Sequence, residues 1–136
     1  MDVEQAKQFV REHHRAVLAT TRRDGRPQLS PVSVGIDDEG YAVISSRETA
    51  IKVKNLARDP HASLCVFTGD FFGPWCQAEG TVEIVHLPDA MDQLVAYYRN
   101  LTGEHPDWDD YRAAMVRDKR VLLRMAIETA GPNISG

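Results

Sequence analysis

Apolar residues recur along the 136-residue chain with two different periods, and the switches between them mark its elements. Val3, Ala6, Phe9 and Val10 fall at helical spacing and predict an amphipathic helix over residues 2–13. AVLATT (16–21) is a short apolar, β-branched run, and RRDG (22–25) is a turn of the Asp-Gly kind that joins hairpin strands. In QLSPVSVGI, Leu29, Val32, Val34 and Ile36 approximate a period of two, while Pro31 removes a ladder donor and implies an edge or a bulge. DDEG (37–40) turns the chain into YAVISS (41–46), so three strands are expected to meander antiparallel. TAIKVKNLARDP then predicts a short helix over 49–57, capped by Thr49 and ended by Asp59-Pro60. ASLCVF (62–67) and WCQAEGTVEIV (75–85) read as strands on either side of a Gly/Pro/aromatic loop, with Gly80 as a bulge. Leu87, Met91, Leu94, Tyr98 and Leu101 share one helical face that Gly103 ends, and the acids of EHPDWDD suit the start of a further helix. VLLRMAIE (121–128) is the sixth strand, and residues 129–136 read as a tail.

Strands interrupted by one short and two longer helices do not alternate as βαβ units would. The pattern predicts a single α+β, mainly β domain over residues 1–136: a six-stranded antiparallel barrel with three or four peripheral helices. Composition narrows the function classes. With 43% hydrophobic and 26% charged residues and a net charge of -4, the chain lacks a global basic footprint for nucleic acid. No apolar run is long enough to span a bilayer and the acidic N-terminal stretch has no signal-like core, so the expected compartment is the cytoplasm, with no membrane partner. Cys65 and Cys76 lie in strand-like segments outside any CxxC and are expected to be buried thiols. The five histidines show no ligand spacing, and no metal is expected. Walker A, GxGxxG, GxSxG and HExxH are all missing. With no nucleophile and base at recognisable spacing, no catalytic side chain is nominated, and any enzyme chemistry must come from a cofactor.

One stretch could hold such a cofactor. In SSRETAIKVKNLARDP (45–60) a strand runs into a helix, and Ser45, Ser46, Arg47, Thr49 and Lys52 gather hydroxyls and cations where helix amides would be open. That set suits a phosphate, and it equally suits a polar helix start with solvated charges. Lys52 in the first turn leans back toward the strand end, whereas Lys54 faces solvent. Phe71, Phe72, Pro74 and Trp75, with Trp108 further on, could wall a planar ring or pack at a core or dimer interface.

The runs VLATTRRDGRPQLSPV, YAVISSRETAIKVKNLARDPHASLCVF and AEGTVEIV resemble the flavin and deazaflavin oxidoreductases of the pyridoxamine 5'-phosphate oxidase-like split β-barrel family, over about residues 16–127. YRNLTGEHPDWDDYRAAMVRDKRVLL is similar to its branch that uses coenzyme F420. The resemblance implies a homodimer with two cofactor sites at the subunit interface. It places Lys52, with its neighbour Ile51, Ser45, Ser46 and Arg47, at the cofactor phosphate. It lays Gln28, Leu29 and Ser30 along the ring and brings Trp75 and Trp108 near the site. The implied function is an F420-dependent reductase passing a hydride to a small conjugated molecule. The alternatives are an FMN oxidase or reductase of the same fold and a non-catalytic flavin, deazaflavin or tetrapyrrole carrier. Two departures bear on the cofactor. Leu29 and Val34 stand where the FMN oxidases carry an arginine and a lysine, and Ala50 stands where the F420 branch carries a basic residue. Tyr97, Tyr98 and Tyr111 read as packing residues, and Arg117, Lys119 and Arg120 as a solvated turn that could meet an acidic cofactor tail.

Overall fold

The computed structural model describes residues 1–132. Its elements are α1 (Val3–Glu12), β1 (Arg15–Thr21), β2 (Pro27–Ser33), β3 (Gly35–Ile36), β4 (Ala42–Arg47), α2 (Ile51–Arg58), β5 (His61–Phe67), β6 (Trp75–Val85), α3 (Met91–Thr102), α4 (Trp108–Arg117) and β7 (Arg120–Gly131). Seven strands form one antiparallel sheet in the order β2-β1-β5-β6-β7-β4-β3. The two edge strands, β2 and β3, are separated in the chain by Val34 alone. Two sheet edges one residue apart require the sheet to curl round on itself, which gives the split barrel. Val34 is fully buried, donates its N–H to the His14 carbonyl at 2.8 Å, and has its own carbonyl 2.9 Å from His14 Nδ1. That double contact fixes the crossing point.

The expected six strands thus become seven, and the expected meander is corrected. The segment 28–36 is not one strand between two neighbours. Its first half pairs with β1 and its last two residues pair with β4 at the opposite edge. Pro31 lies on an edge strand, as its missing N–H demands. The helix after β4 begins at Ile51 with Ala50 as N-cap and no side-chain cap bond, so Thr49 does not cap it. Ala50 N–H instead closes a turn onto Arg47 C=O at 3.1 Å, which moves the helix start past the threonine. The β6–β7 register shifts between Glu79 and Gly80, and a Cβ on Gly80 would stand 1.7 Å from the Ala126 carbonyl oxygen, so the bulge requires glycine. Gly103 ends α3 at φ 92°. The sixth expected strand runs on as β7 to Gly131, so the first part of the anticipated tail is strand, while residues 133–136 lie outside the described residues.

Alternation sorts the side chains into an inner and an outer set. Leu18, Leu64, Val66, Ala78, Ile44 and Leu123 point inward and form the main core with Ala6 and Val10 of α1 and Val53 and Leu56 of α2. Val43 of β4 and Leu122 of β7 point outward into a second core under α3 and α4, built with Leu94, Val95, Tyr111 and Met115. The outer face of β2, β1 and β5 belongs to neither core. Its Leu29, Pro31, Val17, Ala19, Cys65 and Phe67 are exposed or half-buried. Cys76 is buried inward as expected, and Cys65 on that outer face is only partly so. Among the described residues, no helix is long and apolar enough to cross a membrane.

Candidate functional site: a cationic strand-to-helix junction beside an open sheet edge

The end of β4 and the start of β7 pair side by side, Ser45 with Leu122 and Arg47 with Arg120. Because Ala42 and Ile44 point into the barrel, the alternation turns Ser46 inward and Ser45 outward. Ser46 is 2% exposed and donates its hydroxyl to the Arg47 carbonyl at 3.1 Å. It therefore takes no part in the outer surface where sequence reasoning placed it. Arg47 and Ser45 remain there, and Glu48 N–H binds the Lys119 carbonyl at 2.9 Å, tying the chain after β4 to the start of β7.

Lys52 occupies the first turn of α2 and is partly buried. Burial first, and then the like charge of Arg120, hold its ammonium below the ordinary lysine value. Among the described residues neither Lys52, Arg47 nor Arg120 has an ion-pair partner. Arg120 Nε is buried with no hydrogen-bond partner. Since α2 lacks a side-chain cap, the Ile51 and Lys52 amides are left open, while Val53 N–H bonds the Ala50 carbonyl at 3.0 Å. Ile51, at the first helical position, is 58% exposed. The junction combines unneutralised cations with open helix amides, which is chemistry for an anion.

Beside it runs the free edge of β2. The bonds Val34 N–H to His14 C=O and Arg22 N–H to Arg26 C=O fix the phase of the β1–β2 ladder, so residues 28, 30 and 32 bond β1 and residues 27, 29, 31 and 33 turn their backbone outward. Two of those four are prolines with no N–H. Tyr97 of α3 donates its hydroxyl to Ser33 C=O at 2.8 Å. Continuing the β3–β4 register backwards would set Ser33 opposite Ser45, and the Tyr97 oxygen lies against the Ser45 N–H. The phenol thus stands where a ladder bond would otherwise join β2 to β4, and holds the barrel open there. Burial pushes the Tyr97 pKa up, opposed by the Ser45 amide and by Arg120. Of Pro27, Leu29 and Pro31 on the open edge, Leu29 alone offers both an N–H and a C=O, beside a side chain that is 61% exposed. Gln28 and Ser30 turn their side chains inward, in register with buried Thr20 and Leu18, so only the backbone of this stretch faces the edge at Leu29.

The two tryptophans lie on different elements, Trp75 at the start of β6 and Trp108 at the start of α4. Trp75 pairs with Phe67 on the bare outer face, three strands from β2 and so roughly 14 Å away. Phe67 stacks on Phe71 at 6.0 Å, and Phe72 is 93% exposed beyond it. Trp108 is held in an α3–α4 cluster with Tyr98, His105 and Tyr111 at centroid distances of 5.5–5.8 Å. Its Nε1 donates to Glu104 at 3.0 Å, and Arg99 lies over its ring at 4.8 Å. It therefore packs the helix pair, against Tyr111, which lies near Tyr97 and Arg120. Tyr111, whose hydroxyl donates to Leu94 C=O at 2.8 Å, has its pKa pushed up to about 12 by burial.

A groove of about 930 Å³ between α3 and the β3–β4 edge shares Tyr97 with the junction but not Lys52. Its main cations are already matched, Arg124 with Asp37 and Glu39, both at 3.0 Å, and Arg99 with Glu104 at 2.6 Å. Among the described residues only Arg11 of the groove's cations lacks an ion pair, and it bonds Gln8 at 3.4 Å, whereas Lys52, Arg47 and Arg120 at the junction all lack one. Among the described residues no three His, Cys, Asp or Glu side chains converge as metal ligands. The sequence reads Arg120 as part of a solvated turn or as a contact for an acidic cofactor tail; its pairing across from Arg47 is what brings it beside Lys52.

Comparison with solved structures places this architecture. The conserved hypothetical protein Rv2991 from Mycobacterium tuberculosis superposes with a TM-score of 0.77 at 26% identity, over 100% of this chain and 92% of that one. A protein described as an F420 reductase gives a TM-score of 0.70 at 20% identity, over 92% and 94% of the two chains. HutZ, the heme storage protein from Vibrio cholerae, gives 0.71 at 18% identity, over 96% and 94%. The last two share the fold with proteins of different described roles. The family model for pyridoxamine 5'-phosphate oxidase matches residues 3–132, and the chain belongs to that family.

Proposed function

We propose that the protein is an F420-dependent oxidoreductase that works as a homodimer. The observation that carries this reading is the cationic junction: a partly buried lysine beside an arginine, at an uncapped helix start, with no carboxylate paired to either. Half-desolvated cations without counter-charge favour a phosphate-bearing ligand. When bound, a deazaflavin would supply hydride transfer to or from a small conjugated molecule. The chain's own work is then binding and orientation. Lys52 and the two open amides of α2 would hold the phosphate, and Ser45 and Arg47 border that position. Leu29 N–H and C=O would meet a polar ring edge. Tyr97 keeps the cleft open, and with its proton committed to Ser33 C=O it serves as a spacer, not as an acid.

F420 is favoured over FMN because Val34, one of the two positions where the resemblance leads one to expect an FMN-binding cation, is the fully buried crossing residue. A charge could not be placed there without cost. The homodimer is supported by the bare outer face of β2, β1 and β5, whose apolar residues belong to neither core. On that face Trp75, Phe71 and Phe72 could reach a second copy's cleft, which they do not reach in their own.

Fluorescence titration with F420 and with FMN tests the cofactor, the expected result being saturable binding of F420 and weaker binding of FMN. Tight binding of FMN alone would overturn the assignment. Turnover of reduced F420 with a panel of enones and quinones then separates an enzyme from a carrier.

A further inference from the structure

We propose that Arg120 is a direct anion-binding residue of the junction and supplies there the cation that position 50 lacks. The inference deepens the cofactor reading above and rests on it for the identity of the full ligand, though not for the chemistry of the anion. Three observations carry it. First, β4 and β7 pair so that Arg120 stands opposite Arg47, and the Glu48–Lys119 backbone bond holds the start of β7 against the segment leading to α2. Second, the Arg120 side chain takes part in no hydrogen bond or ion pair among the described residues, although a guanidinium carries five N–H donors, and its Nε is shielded from solvent. A buried donor without a partner is costly, and native structures seldom retain one unless a water, ion or ligand completes it. Third, Lys52 and the phenols of Tyr97 and Tyr111 lie close enough to feel its charge, and no carboxylate forms an ion pair with it among the described residues. Two cations pressed together repel, and an oxyanion between them removes that repulsion while satisfying both.

Ala50 then has a simple reading. A basic side chain at the N-cap of α2 would approach the anion from the helix side. Here the second cation comes from the neighbouring strand, and a methyl suffices at the cap. The fork of Arg120 can engage two oxygens of a phosphate, whereas Lys52 offers a point charge.

The test uses the full-length protein with two probes, inorganic phosphate and F420. Arg120→Gln, Arg120→Lys and Arg47→Gln are compared with the parent protein for phosphate-induced thermal stabilisation and for F420 binding by fluorescence. Loss of one charged hydrogen-bonding group should weaken binding by roughly ten- to a hundredfold in Arg120→Gln. Arg120→Lys should recover part of the loss, and Arg47→Gln, exposed at the rim, should change it by less. A merely structural arginine would alter the melting temperature without altering the phosphate-dependent shift. Phosphate binding by Arg120→Gln at the parent's affinity would overturn the proposal, as would a parent protein that binds neither probe. If the parent binds phosphate through Arg120 but not F420, the inference stands and the cofactor reading falls.

Discussion

The two outer faces of the barrel are made of similar strands and meet opposite fates. On β4 and β7, Val43 and Leu122 are covered by α3 and α4, where Leu94 and Tyr111 complete a second core. On β2, β1 and β5, Val17, Pro31, Cys65 and Phe67 have no such cover. The first face earns its stability within the chain, while the second leaves apolar surface uncovered, the surface assigned above to the proposed dimer. The cationic junction and the open edge of β2 lie at the seam between them, where neither cover reaches.

Substitutions on the two faces should therefore fail in different ways. Leu94→Ala, under the helical cover, should have the largest effect, destabilising the fold by about 2–5 kcal/mol in denaturant unfolding. A loss below about 1 kcal/mol would mean that the second core is loosely packed. At the seam, Lys52→Ala should leave the melting temperature nearly unchanged and weaken F420 binding by about 1–3 kcal/mol, read by titration. Tyr97→Phe removes the hydroxyl between Ser33 and Ser45, which should cost about 0.5–1.5 kcal/mol of stability and shift the ligand affinity with it. On the bare face, Val17→Asp should alter monomer stability by less than any of these but halve the mass in analytical ultracentrifugation. A dimeric variant would move the proposed contact to another face, and a monomeric parent would overturn the proposed dimer.

Lys52 also gives the seam a pH signature. Folding lowers its pKa, so its charge opposes the fold below that value, and the opposition fades as pH rises through the lowered pKa toward the ordinary 10.5. Anion binding runs the other way, since it needs the ammonium. Affinity should be full at neutral pH and fall as pH rises through a midpoint below 10.5, and Lys52→Ala should flatten that limb. A midpoint at or above the ordinary value would show that Lys52 is neither desolvated nor crowded by Arg120.

Much of this was legible in the sequence. Each helix appears near its expected place, and Gly80 and Gly103 do what their positions require. The family resemblance also fixed the fold class. What sequence reasoning missed depended on register. Of two adjacent serines one must face inward, but Ile44 and Val43 are both apolar because both faces of β4 are covered, so alternation alone could not choose between Ser45 and Ser46. Arg120 is distant in sequence from Lys52, and only strand pairing brings them together. Nor does the run QLSPVSVGI announce that its middle crosses from one sheet edge to the other, because that is set by where β1 and β4 end up. Trp108 packs against Tyr98 and Tyr111, and in sequence an aromatic residue before a helix reads alike whether it faces a ligand or packs the next helix.

The prolines of β2 have a further consequence for the protein in crowded solution. An exposed edge strand invites another chain to pair with it, and an apolar one beside a bare sheet face would be a ready seed for aggregation. With Pro27 and Pro31 donating nothing and Tyr97 occupying Ser33 C=O, that edge offers an incoming strand only a broken row of partners. Replacing either proline with valine would restore a donor, and with it a route to misassembly that the native edge denies.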